Sequence, residues 1–69
     1  MNAKEWIAAF AAELGVDPPD AGEFAMLLDL AGEAAHSSER VAAPVACWLA
    51  ARAGRSPEDA LEVARRLSA

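Results

Sequence analysis

Three residues in this chain have types and spacing that could hold a metal ion: Asp29, Glu33 and His36. Helical residues are set about 100° apart, so these three fall within about 60° of each other on one face. Glu33-x-x-His36 has the spacing used by di-iron carboxylate bundles. A full di-metal centre needs two such motifs and further carboxylates from partner helices, and this chain has one motif. A metal site would therefore require dimerisation. The plainer expectation is a solvated polar face, with His36 in a last helical turn where a cation suits the dipole.

Arg40, just before Ala42-Ala43-Pro44, suggests a second chemistry. Helix N-termini attract anions, so Arg40 with His36 and the backbone near Pro44 could grip a phosphate or a partner's carboxylate. The competing expectation is a bond from Arg40 to Glu39, Glu33 or a terminal carbonyl of the preceding helix. Cys47 would need a base to act as a nucleophile. The single histidine lies a loop and a turn away on another helix, and the neighbours Ala46 and Trp48 lower no thiol pKa. Cys47 reads as a small packing residue. No Ser/His/Asp set is spaced for catalysis and no Gly-rich phosphate loop is present, so enzymatic function is not expected.

The elements that must position these residues are helices. Alanine, the best helix former, occurs 19 times, against four Val, one Ile and no Thr. Periodicity and stop signals divide the chain into four helices. The first covers 3–14, capped by Asn2 with Glu5 completing a capping box and ended by Gly15; Ala3, Trp6, Ile7, Phe10 and Leu14 share a face. The second covers 20–36 with Asp20 as cap. Phe24, Leu27, Leu28, Ala31 and Ala35 form its main stripe, and Met26 and Leu30 lie off it, so this helix is expected to be central and buried on more than one side.

The third helix covers 43–53, with Pro44 in an early position and Gly54 as its stop. Val41, Val45, Trp48 and Leu49 make a large-residue stripe. Ala43, Cys47, Ala50 and Ala51 make an opposite, smooth side that another backbone can approach closely. The fourth covers 57–68 and starts strongly, with Ser56 as cap, Pro57 at the first position and acids in the first turn. Ala60, Leu61, Ala64 and Leu67 are expected to face inward, and Glu62 to pair with Arg65 and Arg66. Trp6 and Trp48 are expected in the core; an exposed tryptophan would instead be the leading interface anchor. The Arg52 stem is expected to cover core while its head reaches water.

Composition limits the functions available. The 69 residues suit one domain, 1–69. Only 18 apolar side chains are larger than alanine or cysteine, so the core must be thin. A single core in a chain this short rarely supplies more than roughly 3–5 kcal/mol. The net charge of −5, with basic groupings only at Arg52/Arg55 and Arg65/Arg66, argues against nucleic acid, whose binding needs clustered Lys and Arg. No apolar run approaches the ~20 residues of a membrane span, and Met1-Asn2-Ala3-Lys4-Glu5, with its early acid and no long apolar stretch after it, is not expected to be a signal peptide. One cysteine cannot form an internal disulfide, and a reducing cytoplasm is the simplest compartment.

Around the second and third helices the chain reads Leu27-Leu28-Asp29-Leu30-Ala31, then Ala35-His36, then Arg40-Val41-Ala42-Ala43-Pro44. Together with Glu5-Trp6-Ile7 and Leu14-Gly15-Val16-Asp17, this resembles a small actinobacterial domain family, DUF6457, over roughly residues 4–55. The His-to-Pro segment is the most specific part. The chain departs from the family pattern at Val41, usually proline, and at Val45, usually leucine. Members of the family occur alone or fused behind a molybdenum cofactor guanylyltransferase domain. The resemblance therefore implies a link to molybdenum cofactor maturation, or to delivery to enzymes such as formate dehydrogenase; no activity is established for the family.

These readings converge on an all-α, compact bundle of four short helices acting as a non-catalytic interaction or accessory-subunit module. Its expected partner is a protein, either a second copy in a homodimer or a larger enzyme subunit, with no cofactor of its own. The alternative is a small-anion or cofactor-binding accessory domain using Arg40 and His36.

Overall fold

Local capping chemistry sets the helix boundaries. In the computed structural model, which describes residues 1–69, α1 spans Ala3–Leu14, α2 Ala21–Ser37, α3 Ala42–Arg52 and α4 Pro57–Ser68. The Asn2 side chain accepts from the Glu5 N–H at 2.8 Å, and Glu5 Oε1 accepts from the Asn2 N–H at 3.0 Å. Asp20 and Glu23 repeat this reciprocal pair at the start of α2. At α4 the Ser56 hydroxyl accepts from the Asp59 N–H, with Pro57 at the first helical position. Two helices end on glycines with positive φ, Gly15 at 77° and Gly54 at 72°. There the Val16 N–H reaches the Ala11 carbonyl and the Arg55 N–H the Ala50 carbonyl, closing the last turns. α3 is the exception, since Val41 precedes it with no side-chain cap.

The fold is an all-α bundle whose packing centres on α2. α2 lies against both α3 and α4, whereas α3 and α4 touch each other much less. α2 and α4 run parallel. Pro57 lies near Gly22 and Met26 at one end, and Ser37 Oγ donates to Ser68 Oγ at 2.7 Å at the other. Leu30 of α2 and Ala60 and Leu61 of α4 form the buried centre, with Met26, Cys47, Ala50 and Ala64 packed around it. α1 stands apart: no Cα of α1 comes within 8 Å of a Cα in another helix. It rests on the start of α2 through side chains. Ile7 is half-buried, Ala11 is buried, and Lys4 Nζ lies 5.7 Å from the centre of the Phe24 ring.

Several sequence expectations are reversed by this packing. Leu28, on the stripe expected to be the main buried face of α2, is exposed; Leu30, off that stripe, is the helix's most buried residue, in keeping with the burial on more than one side expected of α2. Leu67, expected to face inward, is 87% exposed. Trp6 and Trp48, expected in the core, are 54% and 58% exposed. The physical reason is the separation between helices. α3 approaches α2 and α4 with its small side, Ala46, Cys47 and Ala50, and a close approach leaves no room between the axes for an indole. α1 likewise turns Ile7 and Ala11 toward its own chain. Glu62 makes no ion pair with Arg65 or Arg66; the pair at the start of α4 is Arg55–Asp59 at 2.8 Å.

Candidate functional site

The apolar surface left outside is the main functional feature. Four of 69 residues are buried, and the exposed large side chains include both tryptophans. On α1, Trp6 and Phe10 stack with ring centres 5.0 Å apart and planes 24° apart, and Leu14 continues the same ridge one turn on. On α3, the Arg52 guanidinium lies 5.1 Å over the Trp48 ring, so this arginine covers an exposed aromatic rather than the core. The accessible surface is 5260 Å². A 7.2 kDa chain folded to usual compactness exposes about 4,100 Å², so the excess is about 1,100 Å².

Where α3 and α4 diverge, they leave an open trough floored by α2. One section, of about 700 Å³, runs from His36 and Ser38 past Val45 and Leu49 to Leu67. The other, of about 380 Å³, continues past Leu30 and Val63 to Arg55. Leu49, Ala46, Ala64 and Leu67 line both. The ionisable groups on the walls are His36 at one end and Arg55 at the other; no carboxylate lines either section. Val63 and Arg55 were missed by sequence reasoning. The available signal for Val63 was its i, i+4 spacing to Leu67.

The sequence candidates fall in different places. His36 lines the trough, while Arg40 is exposed and is not on its walls. Asp29 and His36 are exposed and Glu33 is half-buried; no three His, Cys, Asp or Glu side chains are grouped to hold a metal ion. Cys47 packs beside the buried centre, with its Sγ 3.9 Å from the Leu27 carbonyl. Burial pushes its thiol pKa up from the ordinary 9.0, the opposite of what a nucleophile needs. No helix is long and apolar enough to cross a membrane.

This arrangement defines a class: a small all-α domain with a thin interior and two unpartnered apolar faces, one on α1 and one between α3 and α4. The chain belongs to the family described as a domain of unknown function, DUF6457, which matches it over residues 1–69. No curated protein and no solved structure matches it.

Proposed function

We propose that this chain is a non-catalytic protein-interaction module, a cytoplasmic accessory subunit whose exposed apolar faces are covered in its working assembly. The observation that carries the reading is the exposure of Trp6 and Trp48 together with Val45, Leu49 and Leu67 on a chain with four buried residues. Exposed apolar patches beyond a few hundred Å² mark interaction sites, and tryptophan is enriched where interfaces concentrate their binding energy. Covering these faces would also stabilise the chain, because a partner that binds only the folded state shifts the folding equilibrium.

The setting in molybdenum cofactor maturation, or beside a molybdoenzyme such as formate dehydrogenase, is part of this proposal and rests on the family resemblance alone. Affinity isolation of the tagged chain from its native cells tests both parts. The wild type should retain a protein in stoichiometric amount, and Trp6→Lys should lose much of it. A retained enzyme that handles molybdenum cofactor supports the setting. A chain that elutes with neither a second copy nor a foreign protein contradicts the reading.

A further inference from the structure

We propose that the partner is a second copy of this chain, with the Trp6–Phe10–Leu14 ridge of α1 seated in the α3–α4 trough of the other copy and the exchange made reciprocally about a two-fold axis. This deepens the interaction reading and rests on it.

The shapes correspond. The ridge residues are four apart and span about 12 Å of helix. The trough walls present Val45 and Leu49 on α3 and Val63 and Leu67 on α4, also four apart. Rows of residues four apart interlock in the commonest helix–helix packing. Within one chain α1 does not fill the trough. Lys4 and Ile7 lie beside Pro18, Pro19 and Phe24 at the start of α2, whereas the trough follows the second half of α2, from Leu30 to Ser38.

The charges also correspond. The trough walls carry no acid; of their two ionisable groups His36 is unpaired, while Arg55 at the far end is held by Asp59 at 2.8 Å. On α1, Glu13 falls within about 20° of Trp6 around the helix, on the ridge side. Residues 1–20 carry one cation, Lys4, against four acids, while residues 40–69 carry five arginines against three acids. A reciprocal exchange pairs the acidic segment of each copy with the basic half of the other. The area is sufficient as well: each chain exposes about 1,100 Å² beyond a compact monomer, and a standard stable interface takes about 800 Å² from each partner. A two-fold contact uses both complementary faces on both copies.

Light scattering on the full chain across a wide dilution series tests this, with circular dichroism to confirm retained helix. The wild type should show twice the 7.2 kDa chain mass. Trp6→Ala, on the ridge, and Leu67→Glu, on the trough, should each weaken dimerisation by roughly thirtyfold or more. Both side chains are exposed in the lone chain, so both variants should fold. A wild type of single-chain mass at every concentration overturns the proposal, as does a dimer indifferent to either variant. A monomer that still retains a foreign protein in the isolation above would sink this inference and leave the interaction reading standing.

Discussion

The α2–α4 seam and the α3–α4 gap are built from the same kinds of residue, yet they end in opposite environments. Leu30 and Leu61 in the seam are each 3% exposed, whereas Leu67, six residues after Leu61 on the same helix, is 87% exposed. The seam closes because Ala60 lets α4 come close to Leu30, and because the parallel helices are tied at their C-terminal ends by Ser37 and Ser68. The gap stays open because α3 spends its small side on that buried cluster and turns Val45, Trp48 and Leu49 away from it. One side of the molecule therefore supplies the folding energy. The other holds apolar surface that the isolated chain does not use.

Substitutions that separate the two regions should differ in size. Leu30→Ala removes one of the two most buried large side chains of the seam. It is expected to cost about 2–5 kcal/mol, enough to unfold much of the chain, as read by urea melts followed by circular dichroism. A loss no larger than that of a surface change would break the comparison. Cys47→Leu adds bulk to the small side of α3, and overpacking of this kind costs about 1–3 kcal/mol. A neutral or stabilising result would mean that α3 does not approach α2 closely. Leu67→Ala, measured at dilutions where the chain is monomeric, should change stability by less than about 0.5 kcal/mol. A cost approaching that of Leu30→Ala would place Leu67 inside a core.

The smallest expected effect is a pH dependence from Cys47. Its folded pKa is raised above the ordinary value by burial, so the fold favours the neutral thiol. That contribution is fully present below the unfolded pKa and is lost as pH rises through the folded one. Denaturant midpoints should fall in alkaline solution past pH 9.0, and Cys47→Ala should flatten that part of the profile. An unchanged profile in Cys47→Ala would mean that the thiol is not desolvated by the fold.

Helix boundaries were legible because their determinants are local. Asn2 with Glu5, Ser56 with Pro57, and Gly15 and Gly54 act within a turn of their own positions, and all four helices lie within a residue of the expected bounds. The direction each helix faces was less legible. A stripe of large residues at helical spacing reads the same whether it meets a core or a partner, so Val45, Trp48 and Leu49 gave no sign of pointing outward. The cue lay on the other side of α3, where small residues permit close approach to α2. The trough was not visible at all, because its walls come from three helices and no local motif joins His36, Leu49, Val63 and Leu67.

The surface proposed for a partner depends most on α3 presenting its large side to solvent. In a Trp6→Phe chain, Trp48 is the only indole, and its emission and quenching by acrylamide report its surroundings directly. At dilutions where the mass is that of one chain, Trp48 should emit as a water-exposed indole and be quenched readily. Emission shifted to the blue and shielded from quencher in that lone chain would contradict the outward face of α3, and with it the surface proposed to bind a partner.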